Sequence, residues 1–387
     1  MRRALVAASF VLVSAAPVLA HHGGGSFELN KTVSFSSAKL TKMEFVNPHS
    51  WLYFEITDPD GRVTKHRCEM RSAHVLRRSG WTPELFKTGE RIAITASPDR
   101  ADPASCYLQT ILFANGTRMN RYGQYVKAPD GIKEVRGPIK EVRVNRPLRR
   151  PNGEPNISGE WAPEQLVMAD PRGVGGGLVR LGTIANATPG QRAGGGGGRR
   201  GAPPPGPRRY GGTELTEAGE KAAAAFTQQD NPRFRCETTS IVFDWTFDGP
   251  VNRITQNKDT ITLEYGQRNL KRTIYLNQKE HPAGAKPTRA GHSIGRWDGE
   301  TLVVDTVAFL PGVLNAPVRN SDKLHVVERF TLDPKTMKLT RKYEAEDPVY
   351  LKGKYTGEDD IQPADAPYAE DKCKEQGFID YSKQTKR

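Results

Sequence analysis

The sequence predicts a mainly β protein. Its N-terminal half reads as a five-stranded OB-like small barrel. Its C-terminal half reads as an antiparallel β-meander, a barrel or a curled sheet, with one helix. Three observations carry this. Short alternating runs are punctuated by turn formers such as Asp58-Pro59-Asp60-Gly61, Asn115-Gly116 and Asp298-Gly299. A basic segment and a Gly/Pro/Arg segment interrupt the two halves. Only 36% of the 387 residues are hydrophobic, with 38 Gly and 28 Pro, so part of the chain lies outside any packed core.

Residues 1–20 read as a secretory signal: Arg2 and Arg3 form the basic start, Ala4 to Val13 is apolar, and Val18-Leu19-Ala20 is the cleavage site. After it no apolar run approaches the ~18 residues of a membrane span, so the mature form is expected to have none. The protein is therefore expected to be periplasmic or secreted.

Residues 21–125 are expected to be the OB-like domain. Thr32–Val46, Trp51–Ile56, Arg62–Glu69, Arg91–Thr95 and Cys106–Ala114 read as its strands. Ser72 offers an N-cap for a short helix through Arg78, between the third and fourth strands as in an OB-like order. Residues 126–155 form a basic linker with the repeat Ile132-Lys133-Glu134-Val135-Arg136 and Ile139-Lys140-Glu141-Val142-Arg143.

Residues 156–350 are expected to be the meander domain, with a disordered loop over 171–212; residues 190–212 hold ten Gly, four Pro and five Arg in 23 positions. A helix is predicted over 214–229 with Thr213 as its cap. Hairpins follow: Val251–Gln256 with Thr260–Tyr265, Gly291–Trp297 with Thr301–Val307, and Lys323–Leu332 with Lys338–Glu344. Residues 351–387 read as a polar C-terminal tail.

The net charge of +13 resides mostly in the two linker-like segments. Residues 133–150 carry seven basic groups against two acids, and 190–212 carry five Arg and no acid. A nucleic-acid surface would cluster its charge on a folded face, so nucleic acid is excluded and an anionic envelope surface is the favoured partner of these arms. Cys68, Cys106, Cys236 and Cys373 permit three connectivities; with two in each half, Cys68–Cys106 and Cys236–Cys373 are expected. No Cys-x-x-Cys is present, which argues against a redox or zinc centre.

Cleavage after Ala20 makes His21 the first residue, whose amine and imidazole suit the tetragonal nitrogen geometry of Cu(II). His22, His49, His66 or His74 would supply a further imidazole, with His49 fixed in the turn Asn47-Pro48-His49-Ser50-Trp51. In the second half, His292 and Ser293 are adjacent and so point to opposite faces of a strand. Asp305, His325 and Glu328 could converge across neighbouring strands. His292 and His325 are the candidate catalytic residues. No phosphate-binding Gly loop, His-Glu-x-x-His or dinucleotide fingerprint occurs.

Val46-Asn47-Pro48-His49-Ser50-Trp51, Arg77-Arg78-Ser79-Gly80-Trp81 and Lys87-Thr88-Gly89-Glu90 resemble a family of exported bacterial domains of unknown function, over roughly residues 21–120. Ser158-Gly159-Glu160-Trp161-Ala162, Leu215-Thr216-Glu217-Ala218-Gly219, His281-Pro282 and Gly291-His292-Ser293-Ile294-Gly295-Arg296-Trp297-Asp298-Gly299 resemble a second uncharacterised proteobacterial domain. The resemblances imply export and a two-part chain, and they assign no catalytic residue. The expected function is a non-catalytic periplasmic binding protein with copper as its candidate metal at His21, His22 and His49. The alternatives are a barrel enclosing a small apolar ligand and an enzyme acting in the C-terminal cavity.

Overall fold

The computed structural model describes residues 27–121 (except Gly80, Thr82 and Ala101), 125–127, 147–164, 166–168, 178–180 and 209–374. The leader 1–20, the repeat at 132–143 and most of the loop 171–212 lie outside the described residues.

The first unit is built from β1 (Val33–Glu44), β2 (Trp51–Thr57), β3 (Val63–Glu69), α1 (Ala73–Arg78), β4 (Arg91–Pro98) and β5 (Ser105–Leu112). β1 pairs with β2 and β4, β2 with β3, and β4 with β5; β3 runs parallel to β5 and closes the ring. This is the OB-like order that the sequence predicts. The twelve-residue β1 carries register shifts at Phe35/Ala38 and Leu40/Lys42, the local bends by which one strand serves two walls. Ser72 caps α1 by accepting from the Val75 amide. β6 (Arg118–Asn120) and β7 (Tyr125–Lys127) extend the sheet beyond β5. Leu40, Leu52, Phe54, Leu76, Trp81, Ile94 and Leu108 fill the interior, each at most 2% exposed. Cys68 and Cys106 face each other across the parallel closure and are bonded, with Cα atoms 4.4 Å apart.

The second unit begins with β8 (Gly159–Pro163), followed by the small hairpin β9 (Leu166–Met168) and β10 (Leu178–Arg180). α2 spans Glu217–Ala224 and is capped by Thr216, whose side chain accepts from the Gly219 amide. The helix expected over 214–229 is thus shorter and Thr213 is not its cap. Leu215 bridges to Leu351 as extended chain, so the helix starts only beyond it. Then come β11 (Asn252–Gln256), β12 (Thr260–Glu264), β13 (Lys271–Tyr275), β14 (His292–Asp298), β15 (Thr301–Val307), the ribbon β16 (Gly312–Asn315) and β17 (Val318–Asn320), β18 (His325–Asp333), β19 (Lys338–Glu346) and β20 (Tyr355–Pro363).

The nine strands β11-β12-β13-β14-β15-β18-β19-β20-β8 form a closed barrel. Two features depart from a simple meander. β13 and β14 run parallel, so the chain between Leu276 and Gly291 crosses from one end of the wall to the other. β20 lies in the stretch read as a polar tail, yet it pairs with β19 and β8 and closes the barrel. Its charged sequence hid it, because only Tyr355 and Ile361 of this strand are buried apolar residues. Cys236–Cys373 is the second disulfide. Among the described residues no helix is long and apolar enough to cross a membrane.

The barrel interior is filled by Trp161, Trp245, Tyr265 and Phe330 together with Arg272, Glu328 and Arg341, all below 2% or at 2% exposure. Arg272 Nη2 lies 2.5 Å from Glu328 Oε2, and Arg341 Nη1 lies 3.2 Å from Glu328 Oε1. Arg341 Nη2 lies 2.5 Å from Asp359 Oδ2 and donates to the Val242 carbonyl, while Nη1 donates to Ile241. Arg272 also donates to Ser293 Oγ and Thr306 Oγ1 at 2.8 and 2.7 Å. Removing Glu328 would leave two buried guanidinium groups without their shared anion. Glu328→Ala is therefore expected to lower stability by about 3–5 kcal/mol in urea denaturation. The exposed Lys342–Glu358 pair should be worth under about 1 kcal/mol by the same measurement.

Candidate functional site

Alternation along the barrel wall sorts polar side chains to two sides. On β14, β15 and β18, Ser293, Thr306 and Glu328 are buried in the interior, whereas His292, Asp305 and His325 are partly exposed on the outside. Ser293 and His292 therefore stand on opposite faces, as the strand pattern predicts. Of the three residues expected to converge, Asp305 and His325 do so; Glu328, three positions from His325, must face inward.

Gly291 brings β14 to this place. Its φ of +68° is the left-handed region, and a Cβ there would sit 2.7 Å from both Thr306 Cγ2 and the Val307 carbonyl. A side chain at 291 would push β14 off β15 and displace His292.

The residue that sequence reasoning missed is His281, on the crossover between β13 and β14. Its Nε2 lies 3.0 Å from Asp305 Oδ1 and its Nδ1 lies 2.9 Å from His292 Nδ1. His325 Nε2 reaches the same Asp305 oxygen at 3.0 Å. Tyr275, at the end of β13, stacks on His292 with ring centres 5.2 Å apart and planes 14° from parallel. His281 is followed by Pro282, a loop signal with no chemical content of its own, so only the path of the crossover places it in the cluster.

The protons in this cluster follow from the donor inventory. An ionised carboxylate only accepts, so His281 and His325 each donate Nε2–H to Asp305. A neutral His281 then accepts at Nδ1 from His292 Nδ1–H, which leaves His292 Nε2 with a free lone pair. The hydrogen bond to His325 holds Asp305 below the usual carboxylate range. The same bond raises His325 above its ordinary value, aided by Glu346. Burial, reinforced by His281, lowers His292. One carboxylate thus sits between an imidazole held toward its charged form and a relay ending in an imidazole held neutral. The exposures of His281, Asp305 and His325 are 18%, 35% and 39%, so the cluster is reachable from solvent.

Among the described residues, the remaining candidates are not brought together. His49 Nδ1 lies 2.8 Å from Glu69 Oε1. His66 stacks on Phe54 and shares a hydrogen bond with Thr64 Oγ1. His74 is buried against Asn47. His21 and His22 lie outside the described residues. Among the described residues, no three His, Cys, Asp or Glu side chains already surround a point as metal ligands would. Two surface depressions, of about 220 and 400 Å³, are lined by Tyr53, Lys65 and Arg67 and by Thr216, Lys221 and Pro348 respectively.

With this geometry in hand, the chain can be compared with known proteins. Residues 8–106 match a family of unknown function (DUF6152). That stretch reaches into β5 and stops well short of the imidazole cluster. No curated protein and no solved structure matches the chain.

Asp305→Asn would remove the anion that favours the imidazolium at His325. Its pKa is then expected to fall back toward the ordinary histidine value, read by NMR titration of the ring. Because the folded value is raised, the stabilisation from this pair is complete below the unfolded histidine pKa and fades as pH rises through the folded one. Thermal unfolding of the wild type should lose that increment on the alkaline side, and Asp305→Asn should not show the loss.

Proposed function

We propose that the protein works in an oxidising compartment outside the cytoplasm as an acid–base catalyst, with His281, His292, Asp305 and His325 as its proton-transfer centre. The observation that carries this reading is the unbroken chain from Asp305 through His281 to His292. These groups sit on the outer wall, apart from the ion network that fills the barrel interior. The two disulfides support the compartment, because such bonds persist where thiols are not kept reduced.

In this reading His292 Nε2 takes a proton from a water or hydroxyl held at the outer wall. Its own Nδ1–H shares the resulting charge with His281, and Asp305 holds His281 in the tautomer that can accept it. His325, held toward the charged form, returns a proton to the leaving group. Environments that push neighbouring groups apart in pKa are the usual signature of an acid and a base with separate tasks. The substrate class is a polar ester or related electrophile whose hydrolysis begins with deprotonation of water. His292 and His325 are the groups that touch it, and His281 and Asp305 position them. The sequence-based expectation was a non-catalytic binding protein, with an enzyme in the C-terminal cavity as an alternative; the present reading takes up that alternative and moves it to the outside wall, where both candidate histidines are partly exposed.

Hydrolysis of p-nitrophenyl acetate by the oxidised protein, followed across the neutral pH range, tests the proposal. His292→Ala is expected to lower kcat/KM roughly 10²–10⁴-fold. His281→Ala should leave a smaller residual rate than wild type, with its pH profile displaced. Rates that are the same in wild type, His292→Ala and His281→Ala would refute the proton-transfer reading and leave a non-catalytic binding role as the better account.

A further inference from the structure

The last described segment, residues 364–374, leaves β20 and runs from the second barrel to the first. Asp365 takes Arg78 of α1 through Nε at 2.8 Å and Nη2 at 3.3 Å. Tyr368 lies under the Arg253 guanidinium at 4.4 Å. Lys374 N donates to the Asn47 carbonyl, and Asn47 and Cys373 form a β-bridge. Between these points, Asp371 is the single buried residue of the segment, its side chain fully enclosed.

Asp371 draws on both barrels. Arg268, between β12 and β13, gives it Nη1 at 2.6 Å and its backbone amide at 2.8 Å. Asn47 gives it Nδ2 at 2.7 Å. Asn47 Nδ2 also lies 3.1 Å from His74 Nε2, and burial lowers the His74 pKa, which favours the neutral ring that can accept there. Arg268 and Asn269 are both left-handed, with φ of 58° and 53°, the conformation that turns the Arg268 amide onto the carboxylate. Asn269 closes the arrangement by donating Nδ2 to the Asp371 carbonyl and accepting from its amide.

No apolar side chain of this segment is fully buried; its sequence is Ala-Asp-Ala-Pro-Tyr-Ala-Glu-Asp-Lys-Cys-Lys. The Asp371 pin, the Asp365–Arg78 pair and the Cys236–Cys373 bond carry the attachment. The two disulfides of the chain are not equivalent. Cys68 and Cys106 are 0% and 2% exposed within the closed first barrel. Cys236 and Cys373 are only half-buried. A reductant meets the second pair first.

We infer that residues 364–374 are a redox-released strap, which couples the two barrels while Cys236–Cys373 is closed and lets go of the Asn47–His74 face when a dithiol opens it. In the opening step the Cys236–Cys373 S–S bond breaks. Two electrons and two protons pass from the dithiol, which becomes its own disulfide, and both cysteines become thiols. The strap has then lost its covalent tie to Cys236 and is held by the Asp365–Arg78 pair and the Asp371 hydrogen bonds alone, so the buried carboxylate can exchange its enclosed partners for water. The inference stands apart from the proton-transfer proposal, since it uses none of the same residues.

The test treats the full-length oxidised protein with dithiothreitol under native conditions, alkylates released thiols with iodoacetamide, and follows peptides by mass spectrometry. Cys236 and Cys373 are expected to be alkylated at least about tenfold faster than Cys68 and Cys106. Hydrogen exchange should then accelerate by at least about tenfold at Asp371 and Lys374 while β5 keeps its protection. A Cys236→Ser/Cys373→Ser variant should show the same fast exchange without reductant. Equal alkylation of the two pairs, or a strap equally protected in the oxidised protein and the double variant, would overturn the inference.

Discussion

The two-residue pleat of a single wall, β14-β15-β18, is the constraint on which both the interior ion network and the outer imidazole cluster depend. Each of these strands turns one polar residue inward and a near neighbour outward. Ser293, Thr306 and Glu328 meet Arg272 and Arg341 inside; His292, Asp305 and His325 meet His281 outside. The same sheet register therefore fixes both sets. A slip of one residue would place imidazoles in the buried interior and the buried glutamate in water, so the interior ion network also secures the outer cluster.

That interior network is costly to assemble and costly to break. Arg272 and Arg341 share one glutamate, and Arg341 ties the 241–242 carbonyls to the wall. With Trp245, Tyr265 and Phe330 packed around it, the barrel has a filled core, and the imidazole cluster lies on its outer wall. The long connection between β13 and β14 brings His281, and it exists because those two strands run parallel and cannot be joined by a tight turn.

Much of the first unit was legible from residue patterns. Trp51–Ile56 and Arg91–Thr95 alternate cleanly, Ser72 is a side-chain cap, and Asp58-Pro59-Asp60-Gly61 is a turn on local grounds alone. Cysteine pairing by halves also holds for both disulfides. The second unit was legible in its hairpins and illegible in its closure. β20 has too few apolar residues to announce itself, and its place is set by pairing with β19 and β8 rather than by its own composition. The helix over 217–224 was located but overextended, because the bridge from Leu215 to Leu351 competes with helix for the preceding residues.

By itself the chain determined its local elements and the opposite facing of His292 and Ser293, which follow from neighbours within a few positions, and the fall of two cysteines in each half indicated their pairing. Only the tertiary structure decided that His281 joins Asp305, that Glu328 turns away from them, and that Asp371 reaches Asn47 across more than three hundred residues. The reason is physical: strand order and crossover path depend on which walls bury which surfaces, and no local pattern encodes a contact whose two sides are specified by separate, distant packing choices.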